Sequence, residues 1–305
     1  MFRREFIRNA GIATVGGLML PGLNSLQALP KATKYKYGVQ LFTFFTTIDQ
    51  DVEGTLKKIA DLGYTEIESA FSRKGGYYGK TAKEFAAMLK AMGMTWKSHH
   101  VTGMPFKMPA NAKPPVDANG NPITIPPIKN LQDDTDVLVK ELSEAGVPYL
   151  VCASTPVKTA EEIKQSKEIL RKSGEAAKKA GITLCFHNHE AEFKSVDGVT
   201  PYDEFLSISP DILKFELDLA WASKAGANPV ELFKKHKGRF PLWHVKDIDA
   251  SGKPCALGQG TIDFKPIFAA AKEAGLKQFF VEHDMPSDAF ASLTTSKFYL
   301  DKLLG

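Results

Sequence analysis

The chain has 305 residues, with 39 Lys and Arg against 35 Asp and Glu, a formal net charge of +4, and is 43% hydrophobic and 24% charged. This composition argues against a collagen-like, a disordered or a polytopic membrane chain, and so small a positive balance points to no nucleic-acid partner. The three cysteines, Cys152, Cys185 and Cys255, lack metal-type spacing and read as free thiols acting as small hydrophobes.

The first eight residues, Met1-Phe-Arg-Arg-Glu-Phe-Ile-Arg8, set two adjacent arginines before a short apolar run, 10–20, which is followed by Pro21, Gly22 and a small-residue zone near Ala28. That order matches a charged region, an apolar region too short to span a bilayer, and a cleavage zone. It resembles a twin-arginine signal, which exports proteins already folded. Residues 1–28 are therefore expected to be a removed signal peptide and 29–305 a single domain. The mature protein is expected in the periplasm, or otherwise outside the cytoplasm, with no membrane association once the signal is gone. Export after folding also lets a metal be acquired inside the cell.

From Tyr37 onward, short runs rich in β-branched and aromatic residues alternate with segments of helical period. Strands are predicted over 37–44, 66–70, 96–101, 149–154, 183–189, 215–221, 241–247 and 278–284. Helices are predicted over 52–62, 82–92, 134–145, 160–180, 202–207, 229–235 and 264–274. Gly63, Gly93, Gly146, Gly181 and Gly275 each follow a helix, where a left-handed cap costs glycine nothing. Strict alternation with eight strands over about 275 residues predicts a (β/α)8 barrel, the TIM-barrel architecture, and not a doubly wound sheet. No Gly-x-Gly-x-x-Gly follows the first strand. One stretch breaks the rhythm: 102–129 carries Pro105, Pro109, Pro114, Pro115, Pro122, Pro126 and Pro127 and cannot be a regular helix. It follows the third strand, on the face where barrel active sites lie, and reads as a lid or an oligomer contact.

Polar residues crowd the predicted C-terminal ends of the strands. Glu68 ends the second, His99 and His100 the third, His187, Asn188 and His189 the fifth, and Asp218 and Trp221 the sixth. His244, Lys246 and Asp247 end the seventh, and Glu282, His283 and Asp284 the eighth. Six of the seven histidines stand here; only His236, in Lys-Lys-His-Lys, reads as a solvated surface residue. Alternation puts His187 and His189 on one face with Cys185, Asp218 with Glu216, and His244 with Lys246. Carboxylates and imidazoles gathered in a barrel lumen need pairing or ligation. His187, Asp218, His244 and Glu282 form a donor set suited to a divalent ion, Mn2+, Zn2+, Co2+ or Mg2+, with positions left for substrate or water.

Eight segments carry a family resemblance: Gly38-Val-Gln-Leu-Phe-Thr, Leu62-Gly-Tyr-Thr-Glu-Ile-Glu68, Phe186-His-Asn-His-Glu-Ala-Glu-Phe193, Glu216-Leu-Asp-Leu-Ala-Trp221, Ala225-Gly-Ala-Asn-Pro229, Gly238-Arg-Phe-Pro-Leu-Trp-His-Val-Lys-Asp247, Gly258-Gln-Gly-Thr-Ile-Asp-Phe264 and Val281-Glu-His-Asp284. In this order they resemble the xylose isomerase-like sugar phosphate isomerase/epimerase superfamily, which also contains endonuclease IV and inosose dehydratase. The resemblance implies a divalent ion held by Glu, Asp, His and Glu from the fifth to eighth strands. The last three correspond to Asp218, His244 and Glu282. His187 stands where ketose epimerases have a glutamate, which makes it either a ligand or an imidazole base. Trp221 replaces a histidine that follows the aspartate by three residues in those enzymes.

The function this implies is a metal-dependent isomerase or epimerase acting on a keto sugar or related carbohydrate through an enediolate. Glu282 is expected to be both ligand and base, His187 or His189 the second acid/base, and Lys246 the support for the oxyanion. Glu68 and His100 are expected to bind sugar hydroxyls, with Trp221 stacking on the ring. A lyase or dehydratase acting on an oxidised glycoside or an inosose uses the same enediolate when a leaving group stands at the β position. Endonuclease IV-like repair needs a tri-metal cluster and a basic groove, and a non-catalytic sugar-binding barrel is the remaining alternative. The partner is a small carbohydrate, and a homo-oligomer is compatible with the pattern.

Overall fold

The computed structural model describes residues 35–105 and 126–305. The expected signal peptide and most of the proline-rich segment therefore lie outside the described residues.

The strands are β1 (Gly38–Gln40), β2 (Glu66–Ser69), β3 (Thr95–Thr102), β4 (Tyr149–Ser154), β5 (Thr183–His187), β6 (Lys214–Asp218), β7 (Leu242–Val245), β8 (Asp247–Ile248), β9 (Pro254–Cys255) and β10 (Gln278–Val281). Eight of them close a parallel barrel in the order β1-β10-β7-β6-β5-β4-β3-β2, while β8 and β9 form a separate antiparallel ribbon. Closure is made where Gly38 pairs with Phe280 on one side and Glu66 on the other.

The helices α1 (Val52–Asp61), α2 (Ala82–Ala91), α3 (Leu131–Glu144), α4 (Ala160–Lys179), α5 (Pro201–Leu206), α6 (Leu219–Lys224), α7 (Pro229–Lys235), α8 (Phe264–Ala269), α9 (Ala271–Ala274) and α10 (Ala289–Leu304) connect the strands and follow the last one. Their starts are written locally. Asp51, Thr81, Asn130 and Thr159 each accept a backbone N–H from the first turn, and Thr81 with Glu84 makes a reciprocal capping box. The five glycines expected after helices all have φ between 73° and 89°.

Alternation along the strands sorts two cores. Phe186, Phe215, Trp243 and Phe279 face outward into the layer between barrel and helices, where Trp243 stacks on Phe233 at 4.8 Å. The intervening residues Val151, Cys185, Leu242 and Phe280 form a small apolar plug of their own. All three cysteines are free, and Cys152 and Cys185 are buried.

Several boundaries differ from expectation. β1 stops at Gln40, whose side chain accepts from Phe42 N–H and turns residues 41–44 into a 3-10 helix. β6 stops at Asp218, which caps the unexpected helix α6, so Trp221 lies on a helix and not at a strand end. Helix 264–274 is divided at Ala270 into α8 and α9. Helix α10 is not among the expected elements, because two of its buried positions, Ser292 and Ser296, are polar and dilute the apolar period. His236 is partly covered, not fully solvated. Among the described residues no helix is long and apolar enough to cross a membrane.

Candidate metal centre

The parity that puts Cys185, Leu242 and Phe280 in the lower plug puts His187, His244 and Glu282 two residues further up the same faces, and Asp218 beside them through its pairing with His244. All four are buried, with Asp218 and His244 at 0% exposure. Asp218, His244 and Glu282 each offer a ligand atom within 4.8 Å of the others, and so, separately, do His100, His187, Glu216 and His244. His244 is the shared member.

Its two ring nitrogens face different partners. Nε2 lies 2.5 Å from Glu68 Oε2 and 3.1 Å from Glu216 Oε2. Nδ1 lies 2.7 Å from Glu282 Oε2 and 3.9 Å from Asp218 Oδ2, yet it makes no hydrogen bond. When a metal takes the place of the Nδ1 proton, the ring proton on Nε2 stays directed at the carboxylates below, and Nδ1 is the nitrogen placed to join the Glu282 and Asp218 oxygens as a ligand. That is the carboxylate–histidine arrangement that orients an imidazole toward a metal.

Asp218 Oδ2 is likewise buried without a hydrogen bond, while Oδ1 caps α6 by accepting from Trp221 N–H at 2.8 Å. Its backbone N–H donates to Asn188 Oδ1 at 3.1 Å, which ties the end of β6 to the loop after β5. His187 Nε2 is 4.0 Å from Asp218 Oδ2, and Nδ1, 3.3 Å from Glu216 Oε2, lacks a hydrogen bond. An orphaned Asp218 oxygen and an orphaned His244 nitrogen beside the Glu282 carboxylate, all buried, with His187 Nε2 next to them, fit a divalent ion.

One cation reaches the cluster from above. Lys246 Nζ, 1% exposed, sits 3.1 Å from Asp218, 2.8 Å from Glu282 and 2.8 Å from Asp284. Burial opposes its charge, but these three carboxylates outweigh burial and hold its pKa above the ordinary lysine value. Burial raises Asp218 to about 6 despite Lys246 and His244. Glu282 goes the other way, because Lys246 and His244 override its desolvation. Burial and neighbouring cations push His187 well down, and burial with Lys246 brings His189 to about 4, so both imidazoles are neutral near pH 7. Burial also disfavours charge on His100 and His244, but Glu68 and Glu216 raise His100 to about 9, and Glu216, Glu282 and Glu68 raise His244 well above the usual range.

A cavity of about 340 Å3 opens over the cluster, with His100, His187, His189, Lys246, Glu282 and Asp284 among its lining. Glu68 does not line it. It is 0% exposed and accepts from Ser98 Oγ, from Gln40 Nε2 at 2.7 Å and from His244, so it lies beneath the imidazoles instead of meeting sugar hydroxyls as expected. Trp221 is half-buried to one side, 6.1 Å from the His189 ring, with Lys246 Nζ 5.3 Å from its ring centre. His283 and His99 turn away to Ser292 and Ser69.

The family model described as xylose isomerase-like TIM barrel matches residues 56–298. The chain belongs to this family. Among proteins of known structure, it is similar to a sugar phosphate isomerase/epimerase from Parabacteroides distasonis, at 27% identity over 92% of this chain and 98% of that one, with a TM-score of 0.71. It shares its fold with the IOLI protein solved with a binding zinc atom, at 18% identity over 88% of this chain and 98% of that one, TM-score 0.64. Its curated relatives include the inosose dehydratase of Lacticaseibacillus casei, 24% identical over 43% of this chain and 51% of the relative. The chain spans about half the length of the curated relatives it matches.

Glu216 carries more in the cluster than strand parity assigns it. Glu216 shares the face of Asp218, and that parity is the available signal; its contact to His100 at 2.6 Å joins strands far apart in sequence, and its contact to His244 crosses to the neighbouring strand β7. Gln40 and Ser98 hold Glu68; Gln40 stands in the Gly38–Thr43 motif, but no local pattern marks either residue as a partner of Glu68.

Proposed function

We propose that this protein is a divalent-metal-dependent isomerase or epimerase of a keto sugar or related carbohydrate. The observation that carries the reading is the convergence of Asp218 Oδ2 and His244 Nδ1, both buried without a hydrogen bond, with the Glu282 carboxylate beneath a cavity that also holds His187, one buried lysine and the neutral His189. Asp218, His244, Glu282 and His187 would hold the ion. Once bound, a divalent ion supplies Lewis-acid polarisation of a carbonyl and its neighbouring hydroxyl, which acidifies the carbon-bound proton.

The chain's own groups do the rest. Lys246, fixed as an ammonium by three carboxylates, places positive charge where negative charge develops on a substrate oxygen. The Glu282 carboxylate, its pKa held low, accepts the proton from carbon on one side of the cavity. His189, neutral and lining the cavity, exchanges a proton on the other; its N–H to Glu192 Oε2, 2.8 Å, holds its backbone in place. Return of the proton to the opposite face of the same carbon is epimerisation; return to the neighbouring carbon is isomerisation.

The relatives named inosose dehydratase favour a second reading, elimination from the same enediolate when the β carbon carries a leaving group. Incubation with keto sugars and inososes in D2O with Mn2+ separates the two. Deuterium at carbon without loss of mass supports the isomerase, and loss of water or aglycone supports the lyase. Asp218→Asn and His244→Ala are expected to lose metal binding and exchange together; full activity without metal in either variant overturns the assignment. Export by the twin-arginine route belongs to the same proposal, and fractionation of cells expressing the protein with and without Arg3→Lys/Arg4→Lys tests it.

A further inference from the structure

The cavity over the metal centre is two-sided. The groups from β5, β7 and β10 are ionic or imidazole, and they form the reaction floor already described. The opposite wall is built from the ends of β1 to β4 and the approach to α3, and it presents Phe42, Ala70, Phe71, Val101, Ile128 and Ala153. His100 stands at the boundary, with Nε2 committed to Glu216 and Glu68. Among the described residues lining the cavity, the hydroxyls on that side are Thr102, which donates to the Met104 carbonyl at 2.8 Å, and Ser154.

The aromatic part of the wall is held in place. Phe42 stacks on Phe45 at 5.1 Å and Phe45 meets Phe71 at 5.1 Å, so the three rings, each half-buried, form a continuous ledge. Arg73 covers Phe45 at 5.1 Å and is itself pinned by Asp49, which accepts from its backbone N–H at 3.0 Å. The rings therefore need little ordering when a ligand arrives.

A free hexose or polyol carries a hydroxyl on almost every carbon, and against this wall those groups would lose water without gaining partners. A phosphate fares no better: among the described residues lining the cavity, the only Lys or Arg is Lys246, already shared by three carboxylates. We propose that the wall is a subsite for a flat apolar substituent on the carbohydrate, so that the substrate is an oxidised (keto) glycoside with an aryl-type aglycone, the ring carbonyl acidifying its neighbouring carbon, and not a free sugar or a sugar phosphate. This rests on the carbohydrate reading of the same site and names its substrate class. A second sugar ring offers an apolar face too, but its rim of hydroxyls would meet the same unpartnered wall.

The test is calorimetric titration of the Mn2+-loaded protein with paired methyl and phenyl glycosides of glucose and galactose, and with cellobiose and lactose. The phenyl member of a pair is expected to bind at least about tenfold more tightly than the methyl member, and that ratio is expected to collapse toward one in Phe71→Ala and to shrink in Phe42→Ala. Because each ratio is taken within one protein, a general loss of folding cannot imitate the result. Equal binding of methyl and phenyl members overturns the subsite. So does a gain from the disaccharides as large as that from phenyl, which would assign the wall to a sugar ring. Failure of all these glycosides to bind overturns the subsite and leaves the carbohydrate reading to the keto-sugar exchange experiment, whereas a phenyl preference with no deuterium exchange into any keto sugar leaves the subsite standing and refutes only the reaction.

Discussion

Glu68→Gln isolates the electrostatic contribution of the carboxylate beneath His244. Glu68 has no exposure, and both its oxygens accept: Oε1 from Ser98, and Oε2 from Gln40 at 2.7 Å and His244 at 2.5 Å. A glutamine fits the same space. Its amide nitrogen will settle toward Ser98, whose hydroxyl can turn to accept, because in the other orientation it would face two donors. The hydrogen bond from His244 then survives but is no longer charge-assisted, a loss of about 1–1.5 kcal/mol. If that bond sets which nitrogen faces the metal, affinity falls about tenfold, at the low end of the range for outer-shell partners. Titration of Mn2+ or Zn2+ into metal-free wild-type and Glu68→Gln protein measures it directly. Unchanged affinity refutes the orienting role, and a loss beyond about a thousandfold with the fold intact would instead make Glu68 a ligand.

Two further perturbations probe the fold around the site. Asp247, beside Lys246, accepts four backbone N–H groups, from Ile248, Gly258, Gly260 and Ile262, at 2.9–3.2 Å. Asp247→Ala leaves these amides without their acceptor and should cost about 3 kcal/mol or more in chemical denaturation, with proteolytic nicking near 256–262; an intact loop and unchanged midpoint would contradict this. His100 gives a pH signature. Its folded-state pKa of about 9 lies above the ordinary 6.5, so its pairing with Glu68 and Glu216 stabilises the metal-free fold fully below about pH 6.5 and is lost as pH rises through about 9. The stability difference between wild type and His100→Gln should therefore shrink by up to about 3 kcal/mol over that window, and a difference flat across it refutes the ion pairing.

Local signals in this chain survive into the structure wherever the physics is local. The glycines after five helices take left-handed φ because no other residue does so without strain, and Thr81 with Glu84 caps α2 through bonds three residues apart. Strand parity, a property of the extended backbone alone, placed Cys185 and His187 on the lumen face and Phe186 on the outer one. The apolar alternation and the spacing of polar residues at strand ends thus determined the barrel and nominated His187, Asp218, His244 and Glu282. Strand ends themselves were less legible, since Gln40 and Asp218 stop their strands by side-chain bonds that the hydrophobic pattern does not encode.

Closure of the barrel decided the remainder. Whether Glu68 meets substrate or supports an imidazole depends on its depth in the lumen, set by the register of β1, β2 and β3, and only that register brings Gln40, Ser98 and His244 to its two oxygens. Glu216 and His100, 116 residues apart, meet at 2.6 Å for the same reason. The division of the cavity into an ionic floor from the later strands and an apolar wall from the first four is also a tertiary fact. Periodicity tells a side chain which face to take, but the stagger of eight strands sets its height, and height separates a buried support from a group that meets substrate.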